Sequence, residues 1–136
     1  AFWTSNRPTL FFIHFTDPDG AGHLKKWGSP EYKESLLVCD QAVGMLVQAV
    51  NQSGLAGRTL FIVTADHGGN GTNHGTTHPL DMTIPWIVYS PGNIDPGAIE
   101  GPVSICDTAA TAVSALGLEP DPEWDGRVRA LVRPAR

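Results

Sequence analysis

Four of the five histidines of this chain fall in two short stretches that also carry acids. The first is Asp19-Gly20-Ala21-Gly22-His23, with carboxylate and imidazole four residues apart. The second is Asp66-His67-Gly68-Gly69, followed by His74 and His78. Carboxylate oxygens and imidazole nitrogens without thiolate form a donor set that suits zinc or manganese over calcium. Taken singly these residues say little, because Asp-Gly is a common turn and a loop histidine is ordinarily solvated. Two acid–histidine pairs, each closing an apolar run, together predict a divalent-metal site. Asp17 competes with Asp19 but stands two residues out of step, ahead of Pro18. His14, the fifth histidine, lies among aromatic residues and is expected to be a hydrogen-bonded core or supporting histidine rather than a ligand.

The elements that must position these residues follow from hydrophobic pattern. Thr9 to Phe15 is apolar on both faces and reads as an interior strand. An acid- and glycine-rich loop is expected from Thr16 to Gly28. Ser29-Pro30-Glu31 supplies a cap, a proline at the first helical position and an acid in the first turn. The helix it starts runs to about Gln52, with Leu36, Cys39, Val43, Leu46, Val47 and Val50 on one face and Gly54 closing it. A strand over Thr59 to Thr64 completes a β-helix-β unit, expected as a right-handed parallel crossover. Adjacent Asp66 and His67 would point to opposite faces of a regular strand. They converge only if the chain leaves the pleat there, as Gly68, Gly69 and Gly71 indicate. Ile84 to Tyr89 reads as a third strand, begun or edged by Pro85, and Ser104 to Leu116 as a small alanine-rich helix ended by Gly117. Residues 120–124 are expected to be irregular, and 126–136 a basic tail. The fold class is therefore α/β, a mostly parallel sheet flanked by helices, with ligands beyond the carboxyl ends of the strands.

At 136 residues the chain is one domain's worth, and residues 1–136 read as a single, partial domain. Hydrophobic residues at 41% against charged residues at 17% mark it as globular. A net charge of -5 argues against a nucleic-acid polymer or an anionic membrane as partner. It leaves room for an anionic substrate, because bound divalent cations invert the local field. No apolar run approaches the ~20 residues that span a bilayer. Cys39 and Cys106 lack metal-site spacing and are expected as buried thiols, which leaves the compartment open. The four tryptophans, Trp3, Trp27, Trp86 and Trp124, are scattered and read as packing or surface residues. The chain opens at Ala1 and reaches an apolar strand almost at once, which suggests a piece of something longer or a processed product.

Pro18-Asp19-Gly20-Ala21-Gly22-His23, then a helix, then Thr64-Ala65-Asp66-His67-Gly68, His74-Gly75 and Ile84-Pro85-Trp86-Ile87 resemble the C-terminal half of the alkaline phosphatase superfamily. The branch they resemble most is the type I phosphodiesterase/nucleotide pyrophosphatases, which share a sulfatase-like fold. The resemblance covers roughly residues 8 to 118. It implies two divalent ions, zinc or alternatively manganese, at the carboxyl edge of the sheet. Asp19, His23 and His74 would hold the first, and Asp66 and His67 the second; His74 is preferred to His78 because His-Gly ahead of the Met-x-Ile-Pro strand is the family context.

The implied chemistry is hydrolysis of a small phosphorylated substrate, a phosphate mono- or diester, by a two-metal clamp, with ions about 4 Å apart. In the family the Ser or Thr nucleophile and a further Asp ligand come from the N-terminal half, and neither has a counterpart here. The chain is thus expected to lack that half and to self-associate or pair with it. Two alternatives accompany this reading. A phosphoglycerate-mutase type of phosphotransfer enzyme shares Pro-Asp-x-x-Gly-His and Thr-Ala-Asp-His-Gly, but Asp81-Met82-Thr83-Ile84-Pro85 fits it less well. A truncated metal-binding fragment without catalysis of its own is the other.

Overall fold

In a computed structural model, the structure describes residues 5–94 and 97–129. The chain divides into two compact units: residues up to Gly54 together with Ala65–Ile84, and Leu55–Thr64 together with residues from Pro85 onward.

The first unit is helical. α1 spans Asp17–Lys25 and α2 spans Pro30–Gln52. α1 occupies the stretch expected as a loop. Asp17-Pro18-Asp19 places a proline and two acids in its first turn. That favours helix initiation strongly enough to carry the chain through Gly20 and Gly22. α1 stops at Lys26, whose positive φ of 86° turns the chain while its N–H closes on the Gly22 carbonyl. α2 starts as its sequence dictates, with Ser29 Oγ accepting from the Tyr32 N–H at 3.1 Å. Its half-buried positions, Tyr32, Ser35, Cys39, Val43, Leu46 and Val47, lead to buried Val50 and form the expected stripe, against which α1 packs. Leu36 lies at its margin, 43% exposed. A single helical turn, α3 (Pro79–Met82), closes the unit.

The second unit holds a 3-10 turn at Ala56–Arg58, strands β1 (Phe61–Thr64) and β2 (Trp86–Tyr89), and helix α4 (Asp107–Ala115). The two strands pair antiparallel, Phe61 opposite Tyr89 and Thr64 opposite Trp86, where a parallel sheet was expected. A parallel neighbour needs a crossover long enough to return the chain along the whole strand. The segment between β1 and β2 carries only the four-residue α3 as regular structure. Trp86 Nε1 donates to Thr108 Oγ1 at 2.8 Å and ties the sheet to α4. α4 begins three residues later than expected, and Gly117, with φ of 77°, follows its end.

Two further expectations fail. Residues 9–15 form no strand; Leu10 and Phe12 are 67% and 84% exposed, and His14 is exposed rather than in a core. An interior strand exists only with neighbours on both edges and apolar cover on both faces, and the described residues supply neither. Cys106 is also exposed, because it sits at the N-cap of α4 outside the buried turns, while Cys39 is half-buried. Part of the basic tail is ordered: Arg127 N–H and Arg129 Nε donate to the Asp107 carboxylate at 2.8 and 2.7 Å. Residues 130–136 of that tail, and Trp3, lie outside the described residues. No helix among the described residues is long and apolar enough to cross a membrane.

Candidate metal centre

On α1, Asp19 and His23 are one turn apart, so their side chains share a face. His23 Nε2 lies 3.4 Å from Asp19 Oδ1. The two later imidazoles reach the same oxygen, His74 Nε2 at 3.7 Å and His67 Nε2 at 3.8 Å. Donor atoms of Asp19, His23 and His74 all fall within 4.8 Å of one another. The Asp19 side chain is 48% exposed, yet its Oδ1 is sealed from solvent and has no hydrogen-bond partner among the described residues.

Ring orientation explains why no proton satisfies that oxygen. His23 Nδ1 lies 2.9 Å from the Thr72 carbonyl, and His67 Nδ1 lies 2.8 Å from the Gly68 carbonyl. A carbonyl only accepts, so both Nδ1 atoms carry the ring proton and donate it. In the neutral rings both Nε2 atoms then present bare lone pairs beside a carboxylate oxygen. Lone pairs crowded on an orphaned carboxylate repel one another and are relieved by a cation at their focus. One carboxylate and two or three imidazoles are a donor set of the kind that holds a divalent cation. The residues fit a divalent ion.

Local packing fixes the focus. The strand ends at Thr64 and the chain leaves the pleat, so adjacent Asp66 and His67 need not face apart. Gly68 and Gly69 then donate their N–H groups to the Asp81 and Leu80 carbonyls at 2.7 and 2.9 Å. A Cβ on Gly68 would collide with the Leu80 carbonyl oxygen, so only glycine permits this approach. Trp27 is wedged against Gly22 and Gly69. A Cβ on Gly22 would come within 2.7 Å of the indole, and one on Gly69 closer still. The Trp27 backbone N–H donates to the Gly71 carbonyl at 2.8 Å, and the Trp27 ring lies 5.1 Å from His23, 5.8 Å from His74 and 6.5 Å from His67. His67 and His74 stack with ring centroids 3.7 Å apart.

The other sequence candidates go elsewhere. Asp66 is 76% exposed; its Oδ1 accepts from the His67 N–H and its Oδ2 lies 3.6 Å from His67 Nε2, at the edge of the group. His78 caps α3, its Nδ1 accepting from the Leu80 N–H at 3.1 Å. Asp17 lies near Cys39, whose thiol is pushed up by burial and by that carboxylate. Sequence reasoning missed Asp81. It is 4% exposed, and its Oδ2 accepts from both the N–H and the hydroxyl of Thr76 at 3.0 and 2.7 Å. Hydrogen bonds from the Thr76 hydroxyl and N–H, aided by His78 and His74 nearby, hold its carboxyl below the usual range against the opposing effect of burial. The signal that could have found it is an acid just ahead of the Met-x-Ile-Pro strand, within a helical turn too short to need one.

Residues 2–89 match the family model of type I phosphodiesterase / nucleotide pyrophosphatase, more than half of the chain. The chain belongs to this family. Among curated relatives of this phosphodiesterase-family chain, GPI ethanolamine phosphate transferase 1 of Neurospora crassa is 33% identical over 96 residues, covering 70% of this chain and 10% of the relative. The Saccharomyces cerevisiae protein of the same name gives the same figures, and the Homo sapiens one is 33% identical over 85 residues, 61% of this chain and 9% of the relative. The chain thus spans about a tenth of the length of the curated relatives it matches. No solved structure matches it significantly.

Proposed function

We propose that this chain forms the divalent-metal centre of an enzyme acting on a small phosphodiester. The observation that carries this is the sealed, partnerless Asp19 Oδ1 ringed by three imidazole nitrogens. In this reading Asp19, His23 and His74 hold one ion, and Asp66 and His67 contribute to a second. Zinc is preferred to manganese because imidazole nitrogens outnumber oxygens. When bound, such ions neutralise phosphoryl charge and make a hydroxyl or water more nucleophilic. The chain's own residues hold the donors in place: carbonyls keep the protons of His23 and His67 on Nδ1, and the Trp27 indole packs beside all three rings.

The names of the relatives favour group transfer. We take the substrate to be a phosphodiester bearing an ethanolamine phosphate or similar group, which passes to an acceptor hydroxyl as the donor's other alcohol leaves with that hydroxyl's proton; hydrolysis is the same step with water as acceptor. The Ser or Thr nucleophile then comes from outside residues 1–136. The apolar stretch 9–15 becomes a strand of a larger, mostly parallel sheet when that partner segment is present.

The test is elemental analysis of zinc and manganese in protein purified without chelator. About one to two equivalents per chain are expected, falling to near zero in Asp19→Ala. No metal in either protein would overturn the reading.

A further inference from the structure

His23 and His67 each have a backbone carbonyl that holds the ring proton on Nδ1 and frees Nε2. His74 turns its Nε2 to the same Asp19 oxygen, at 3.7 Å, but no carbonyl holds its Nδ1 among the described residues. Some other group must select its tautomer if its Nε2 lone pair is to serve.

Asp81 is the group in position. It is a hub between the two loops that deliver His67 and His74. Its backbone carbonyl takes the Gly68 N–H, one residue past His67. Its Oδ2 takes both donors of Thr76, two residues past His74. The Thr76 hydroxyl also accepts from the His78 N–H at 3.1 Å, so the carboxylate is locked in place. Its other oxygen, Oδ1, is sealed from solvent and has no hydrogen-bond partner. A buried carboxylate oxygen is expected to have a donor, and Thr76 on this carboxylate brings the His74 loop beside it, where His78 and His74 both act on its charge. His78 already uses its Nδ1 as an acceptor at the α3 cap. The His74 Nδ1 has no hydrogen-bond partner among the described residues.

We propose that Asp81 is the positioning residue for His74: its Thr76-locked carboxylate takes the His74 Nδ1 proton through Oδ1 by way of one buried water, and so keeps the Nε2 lone pair on the Asp19 focus. A carboxylate behind a histidine fixes both the tautomer and the ring plane, and it raises the basicity of the ligating nitrogen. The assignment rests on the reading of Asp19, His23 and His74 as a metal centre. It accounts for an acid that no step of phosphoryl chemistry otherwise uses.

The test reads the tautomers directly, from long-range ¹H–¹⁵N correlations of the histidine rings in the metal-free protein at a pH where they are neutral. His74 is expected in the Nδ1–H form. In Asp81→Asn it should shift toward Nε2–H, with His23 and His67 unmoved. A His74 found as Nε2–H in the unmutated protein overturns the proposal, as does an Asp81→Asn spectrum in which only His78 moves or nothing does. If Asp81→Asn does not fold, the unmutated tautomer alone decides. Zinc titration separates this proposal from the reading beneath it. Asp81→Asn should bind zinc about 10–100-fold more weakly. A protein with His74 as Nδ1–H that takes up no zinc supports the role of Asp81 and sinks the metal centre instead.

Discussion

At the scale of single residues, the site is held as much by absent side chains as by present ones. Gly22 and Gly69 leave room for one indole between a helix and a loop that are nearly fifty positions apart in the chain. Gly69→Ala should therefore drive a methyl into Trp27, at a cost of about 1–3 kcal/mol typical of overpacking, measured by urea unfolding. Gly20→Ala, with open space around its Cβ position, should leave stability unchanged or raise it. The gathering of Asp19, His23 and His74 was legible because acid and imidazole at fixed spacing are local signals. Trp27 and Asp81 were not, since what each does depends on a second segment brought against it. Nothing in the indole's own neighbourhood in the sequence announces Gly69, and nothing beside Asp81 announces Gly68.

At the scale of elements, termini and caps were legible and partners were not. Ser29-Pro30 fixed the start of α2 and Gly117 the end of α4, because capping is decided within four residues. The stretch 17–25 was misread because glycines were weighted above the Asp-Pro-Asp start. The antiparallel pairing of β2 was not legible, because strand pairing depends on the path between strands, not on their composition. The second unit has its own polar anchor, the Asp107 carboxylate, only 2% exposed. Burial pushes its carboxyl up, but hydrogen bonds from the Arg127 and Ser104 N–H groups and from Arg129, with the guanidinium charge, hold it below the usual range. A carboxyl depressed in the folded state stabilises above its unfolded value, near about 3.9, and loses that contribution as pH falls toward the folded one. Stability should thus be flat from neutrality to about pH 4 and drop below it. Asp107→Asn should flatten the acid limb and lower stability at neutral pH by about 1–3 kcal/mol, as read by urea midpoints across pH.

At the scale of the whole molecule, Val50 and Ala110 are the only buried apolar side chains among the described residues. Leu10, Phe12 and Met45, by contrast, are 67%, 84% and 71% exposed. Apolar area left in water is a driving force for association. Sedimentation velocity of the chain should show concentration-dependent self-association, reduced in Phe12→Asp. A monomer at all concentrations would remove self-association from the picture. The position of Trp27 has an optical consequence. An indole within 5.1 to 6.5 Å of three imidazoles is a fluorophore placed where a cation would arrive. The protein carries its own gauge of occupancy, and zinc titrated into it should change an emission component that is missing from Trp27→Phe.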